Sequence, residues 1–287
     1  MAFTPSRPRA EVWVPDGADV DDALGRTTDL GIVAHQDDLE FMALAPIAAC
    51  RDDPGRWFTG VACTDGAGSA RSGPYAEFSD EQMMSVRRDE QRAAAEIGAY
   101  SAIVQLDHPS AAIRGDEHGI LVAELVALLD ATRPVNLYTH NLADKHSTHL
   151  ATGVATIEAA RQLAPDARPW RVVGIEGWRS LDWLDDDEKV LLDVSGQRGL
   201  ADRLSAVFAS QIDGGKRYDL AEAGRRRANA TLFEPRAVDS AEEVSFAMDL
   251  TPLVRNDDLD PVGFVAAAID RFRADVTDGL RAYFPEP

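Results

Sequence analysis

A short apolar run, Gly31-Ile32-Val33-Ala34, stops at His35, and Asp37, Asp38 and Glu40 follow within five residues. Imidazole nitrogen and carboxylate oxygen are both good ligands for a divalent cation, and the end of a strand holds them on a fixed scaffold. A carboxylate left over beside the ligands could move protons. A second cluster, Tyr138 to His149, follows another β-type run and holds His140, Asp144, His146 and His149, three of the six histidines of the chain. In an open parallel sheet ligands gather outside the carboxyl ends of the strands, so two such loops can face one crevice. His35, Asp38 and His149 could then supply three metal ligands and leave a fourth position open. The plainer alternative is a set of helix-capping aspartates and loop histidines. The recurrence of histidine with carboxylate after two separate strands favours the metal.

The elements that must position these residues are legible as apolar β-type runs at 31–34, 57–63, 102–106, 135–139 and 171–175, separated by long helix-like intervals. That alternation predicts an α/β fold with a mostly parallel sheet flanked by helices. The best-signalled helix lies between Ser79 and Gly98, with Ser79 as N-cap, Gln82 at the capping-box position and Gly98 at the stop. On it Met83, Val86, Ala93, Ala94 and Ile97 form an apolar stripe, and Glu90 joins that stripe three residues after Arg87. The pair is either a structural ion pair beneath the sheet edge or an arginine aimed at a polar substrate. Further helices are expected at 119–131, 150–163, 198–212 and 219–229, with a small β element in the last third. No linker splits the chain, so a single domain is expected: an N-terminal extension over 1–28, a metal-site core over 30–160 and C-terminal substrate-side elements over 170–287.

The chain has 29 basic and 49 acidic residues, a formal net charge of -20. Such a balance repels nucleic acid and anionic membrane surfaces. Cys50 and Cys63 lie in apolar stretches without a CxxC pair, which indicates neither a disulfide framework nor a thiolate zinc site and fits a reducing, cytoplasmic setting. The N-terminus lacks the apolar core of a secretory signal. The longest uncharged, mostly apolar run, Phe41 to Cys50, has ten residues, where a spanning helix needs about 20, so no membrane insertion is expected. Gly66-Ala67-Gly68 fails the dinucleotide fingerprint because Arg71 stands where the third glycine belongs. Neither GxSxG nor a Walker A loop is present.

The His35-Gln36-Asp37-Asp38-x-Glu40 loop, Thr64-Asp65-Gly66, Arg87-x-x-Glu90 with the Ala-rich run to Ile97-Gly98, and Asp144-x-His146-x-x-His149 together resemble the PIG-L/LmbE-like deacetylases. The likeness covers residues 30–160 in order and spacing; Ser210-Gln211 is a weaker later feature. The resemblance implies a Rossmann-like, LmbE-like fold and hydrolysis of an N-acetyl group, commonly on an N-acetylglucosamine-type sugar. It implies zinc as the cofactor, with another divalent metal such as iron also compatible. By the same resemblance His35, Asp38 and His149 bind the metal, Asp37 is the general base, and His146 stabilises the oxyanion, which a charged imidazole could do together with the metal. Arg87 contacts substrate, and Asp144 orients a histidine from outside. The chain departs from the family pattern twice. Gln36 replaces the usual proline, and Ser147-Thr148 replaces the usual Pro-Asp before His149.

Two other readings compete. A non-heme iron oxygenase would use His35, Asp37 and a distant histidine as its triad, but such enzymes usually have another fold. A sugar-binding protein of the same fold could have lost turnover. The expected partner is a small amino-sugar conjugate; homo-oligomerisation and the identity of the acetylated substrate are left open. Tyr75, Phe78, Trp178 and Trp183, in loops expected to rim the crevice, could stack on a sugar or simply pack.

Overall fold

In the computed structural model, which describes residues 3–284, eight strands form one sheet. They are β1 (Glu11–Trp13), β2 (Asp29–Val33), β3 (Phe58–Thr64), β4 (Ala102–His108), β5 (Asn136–His140), β6 (Arg171–Ile175), β7 (Lys189–Asp193) and β8 (Val244–Asp249). The helices are α1 (Val20–Gly25), α2 (Asp38–Met42), α3 (Leu44–Asp52), α4 (Asp80–Gly98), α5 (Ser110–Ile113) and α6 (His118–Thr132), followed by α7 (Ser147–Gln162), α8 (Arg198–Ala206), α9 (Ala209–Ile212), α10 (Tyr218–Leu232), α11 (Thr251–Arg255) and α12 (Pro261–Arg281). The strand order is β1-β4-β3-β2-β5-β6-β8-β7. From β4 to β6 all neighbours are parallel, whereas β1 and the β8-β7 pair add antiparallel edges.

All five residues of β2 are buried, the expected state of a central parallel strand covered on both faces. Alternation along the strands sends Leu30, Ile32, Val61 and Val104 to one face, where α6 and α7 cover them with Leu125, Leu129 and Ile157. Val33, Phe58, Ile103 and Tyr138 line the other face under Leu39 of α2, Ile47 of α3 and Leu204 of α8. The chain runs from β2 outward through β3 and β4, then returns to β5 on the opposite side of β2. That reversal opens a crevice at the carboxyl ends of β2 and β5, the usual place for a ligand in such a sheet.

The expected elements occur with shifted ends, and the shifts matter. Helix α7 begins at Ser147, which puts His149 in its first turn rather than in the preceding loop. The helix expected over 198–212 breaks at Val207–Phe208, because the fully buried Phe208 packs against Phe41 with ring centroids 6.0 Å apart. The break turns Ser210 towards α4. The β element of the last third is the β7-β8 pair. No helix was expected over Pro261–Arg281; this one leaves Ile269, Phe272 and Val276 exposed and fully buries only Ala268. Among the described residues no helix is long and apolar enough to cross a membrane.

Candidate metal centre

The loop after β2 is built around a backbone conformation that favours glycine, yet the residue there is Asp37, at φ 85° and ψ -30°. Surrounding hydrogen bonds impose it. The Asp37 N–H donates to Gln91 Oε1 at 3.1 Å, and Gln91 Nε2 donates to Glu40 Oε1 at 2.8 Å. Tyr100 OH donates to the same oxygen at 2.6 Å. Gln36, where the family pattern has proline, donates its amide to the Thr64 carbonyl at 2.9 Å and so ties the end of β2 to the end of β3. Gly66, at φ 76°, makes room for this arrangement: a Cβ there would come within 2.9 Å of Gln36 Oε1 and 3.0 Å of the Arg87 side chain.

Three donor atoms meet at the mouth of this loop. His35 Nδ1 lies 3.2 Å from Asp38 Oδ2, His149 Nε2 lies 3.3 Å from the same oxygen, and the two nitrogens are 3.3 Å apart. Metal–ligand distances near 2.0–2.2 Å give a tetrahedron edges of about 3.3–3.6 Å, close to this triangle. Helix α7 supplies His149, and the first residue of α2 supplies Asp38, whose Oδ2 also accepts the His35 N–H at 2.8 Å. Burial alone would raise the Asp38 pKa, but His149 and His35 hold it well below the usual carboxylate range. Burial opposes charge on His149 too, yet Asp38 and Asp144 push its pKa up to about 10. Without a metal the pair is therefore an imidazolium beside a carboxylate, and a cation would have to displace the proton between them.

Asp144 holds His149 from behind. Its Oδ2 lies 3.3 Å from His149 Nδ1 and accepts the Trp178 N–H at 3.0 Å, while Oδ1 accepts the His146 N–H at 2.9 Å. Gly177 is required for this contact, because a Cβ there would fall 2.5 Å from Asp144 Oδ2. Burial acts to raise the Asp144 pKa, but the contact with His149 and the His146 N–H bring it below its ordinary value. His140 stacks on His149 with ring centroids 3.9 Å apart and accepts the Ala34 N–H on Nε2 at 2.8 Å. Burial, reinforced by charged His149, holds its pKa well below the imidazole range. Its 3.6 Å approach to Asp38 is therefore not an ion pair.

Asp37 stays outside the triangle. Burial pushes its pKa up to about 6 against the opposing charge of Arg87, whose guanidinium lies 2.9 Å away. Arg87 is 1% exposed: it also donates to the Gln36 carbonyl, pairs with Glu90 at 3.1 Å and reaches Ser210 Oγ. Glu90 in turn accepts the Ser210 N–H and hydroxyl, each at 2.7 Å. The break between α8 and α9 thus completes the buried pair visible in the sequence. His146, the N-cap of α7, sits with its ring 5.0 Å from that of His35 and 4.5 Å from that of His149. Burial and charged His149 push its pKa down to about 4, so its resting form at neutral pH is uncharged.

These groups open into a cavity of about 560 Å³ whose walls include Trp178, Lys216, Tyr218 and Glu222 from beyond residue 170. Trp178 faces the His146 ring at 5.9 Å, whereas Trp183 packs on the core and Tyr75 pairs with Phe78. Sequence reasoning missed Gln91, Tyr100 and Glu222, which carry no motif. It also passed over Lys145 and Lys216, for which a signal existed: the chain has only three lysines, and these two line the cavity.

Residues 30–160 match the model of the PIG-L family, described as GlcNAc-PI de-N-acetylase. No curated protein matches the sequence. Solved structures share the fold. N,N'-diacetylchitobiose deacetylase from Pyrococcus horikoshii has a TM-score of 0.58 at 16% identity, over 77% of this chain and 83% of that one. A deacetylase of the teicoplanin biosynthetic pathway has a TM-score of 0.59 at 17% identity, over 78% and 97%. The 4-carboxy-2-hydroxymuconate hydratase from Pseudomonas putida has a TM-score of 0.59 at 19% identity, over 78% and 96%. The mostly parallel eight-stranded sheet with flanking helices is thus an LmbE-like fold with added C-terminal helices.

Proposed function

We propose that this chain, with its match to the PIG-L family over residues 30–160, is a metal-dependent hydrolase that removes an N-acetyl group from an N-acetylglucosamine-type conjugate. One observation carries the reading: His35, Asp38 and His149 converge at 3.2–3.3 Å while the adjacent Asp37 stays free of the triangle, buried and poised near neutrality. This is a ligand set with a separate base beside it. The donor set suits zinc, and iron is the second candidate.

A bound divalent cation would supply Lewis acidity, polarising the acetamide carbonyl and lowering the pKa of water to about 7. Asp37 would take the proton from the attacking water and carry it to the leaving amine; a base with a pKa near the working pH is best matched to both transfers. Arg87 is a positioning residue in this scheme, because its guanidinium fixes the Asp37 carboxylate and is itself held by Glu90. His146 would donate a hydrogen bond to the oxyanion of the tetrahedral intermediate. Asp144 would hold His149 in orientation.

The test is metal analysis of the purified protein, followed by acetate release from N-acetylglucosamine conjugates with Asp37→Asn as control. Acetate release that depends on metal and Asp37 is expected. Metal-loaded protein that releases none would overturn the reading, and since a hydratase shares the fold, hydration of an unsaturated carboxylate would be the next reaction to assay.

A further inference from the structure

The cavity described above has a charge balance unlike that of the rest of the chain. Three acidic residues line it, and each is committed: Asp38 to the ligand triangle, Asp37 to Arg87, and Glu222 to Arg225 at 3.3 Å. Burial also pushes the Glu222 pKa up to about 7, which reduces its negative charge. Lys145 and Lys216 line the same cavity, are exposed, and form no ion pair among the described residues. The third lysine, Lys189, is paired with Asp186 at 2.5 Å. A chain of net charge -20 has ample carboxylates to pair with two lysines, yet both stand unpaired at this opening.

Their placement is specific. The Lys216 ammonium lies 5.1 Å from the centroid of the Trp178 ring, an aromatic face that holds a cation without neutralising it. Trp178 in turn faces His146. Lys145 directly precedes His146, the N-cap at the positive end of the 16-residue helix α7, and no acidic residue occupies the first turn of that helix. Lys145, next to His146 in sequence, and Lys216, over the Trp178 ring that faces His146, thus line the same cavity as His146. Two local cations can invert the repulsion that the whole chain exerts on an anion.

We propose that the acetylated substrate carries an anionic group, a carboxylate or a phosphate, received by Lys145 and Lys216 at the mouth of the cavity. The proposal rests on the hydrolase reading above. Three probes separate the sources: neutral benzyl N-acetylglucosaminide, its 4-carboxybenzyl counterpart and N-acetylglucosamine 1-phosphate. On the metal-loaded protein we expect kcat/KM to favour one or both charged probes about tenfold at low salt, as two partly exposed ion pairs allow. The preference should shrink as ionic strength rises. In the Lys145→Gln/Lys216→Gln protein the charged-to-neutral ratio should fall towards one. Equal kcat/KM for all three probes, or a ratio that survives the double substitution, would overturn the anion site while leaving the hydrolase reading intact. Binding of the same probes to metal-loaded Asp37→Asn protein reads the preference without turnover. Tighter binding of the charged probes with no acetate released by the unsubstituted protein would sink the hydrolase reading alone, and equal binding would sink the anion site.

Discussion

A buried aspartate opens β2 and another lies beyond the loop that follows it, and their surroundings are opposite. Asp29, at the first residue, is surrounded by donors: Arg56 reaches both oxygens, at 2.7 and 3.2 Å, and Thr28, Cys50, Asn136 and Tyr138 add four more contacts. Burial would raise its pKa, but Arg56 and Thr28 outweigh burial and bring it below its ordinary value. Asp38, five residues beyond the last, at the start of α2, has three imidazole nitrogens within 3.6 Å and a single backbone N–H. Donors converging on a carboxylate complete a structure. Lone pairs converging on one leave a place for a proton or a cation.

Removing each aspartate should separate the two roles. Asp38→Asn should abolish metal retention and bring activity to background; an active, metal-loaded variant would break the contrast. Asp37→Asn should keep its metal and lose about 10³-fold in kcat, within the usual range for a general base. Asparagine tolerates positive φ, so its fold should be unchanged.

Asp29→Asn should do the reverse. Removing one partner of a buried pair costs about 3 kcal/mol, the lower end of the range because Arg56 is partly exposed, and activity per folded molecule should be retained. The pH dependence has a definite sign. A carboxyl whose folded pKa is depressed stabilises the fold above its unfolded value and loses that contribution as pH falls through the folded one. The stability gap between unsubstituted protein and Asp29→Asn should therefore hold from neutrality to about pH 4 and close below it. A gap that stays constant down to pH 2 would show that packing, not charge, holds that end. The smallest effect is expected for Gln36→Pro, which restores the family pattern but removes the bonds to Thr64 and Gln105. It should cost about 1 kcal/mol in denaturant unfolding and less than tenfold in kcat/KM.

The same contrast explains what the sequence could reveal. His35, Asp37 and Asp38 interrupt an apolar run, and Asp144, His146 and His149 follow another, so each cluster announces itself locally. The strands that carry them are legible for the same reason, since buried parallel strands read as apolar runs. Asp29 is invisible in this way, because its donors come from residues 28, 50, 56, 136 and 138, brought together only by the sheet. Gln91 of α4 and Tyr100 just after it reach Glu40 of α2 across 51 and 60 residues, and neither carries a spacing signal. The break at Phe208 follows from packing on Phe41, more than 150 residues away in sequence. Helix α12 was missed because it buries so little of itself.

His35 and His149 stand 114 residues apart in sequence and 3.3 Å apart in space. A metal joining them would be a cross-link, closing a loop that spans β2 to α7. In chain-entropy terms a loop of about 100 residues is worth nearly 5 kcal/mol to a permanent link, and a metal gains a share of this set by its concentration relative to its Kd. Cys50 and Cys63 are free and buried, so the described residues contain no covalent staple. Stripping the metal should therefore loosen more than the site. Amide hydrogen exchange in β2 and β5 should quicken together, as in a protein that has lost a bridge.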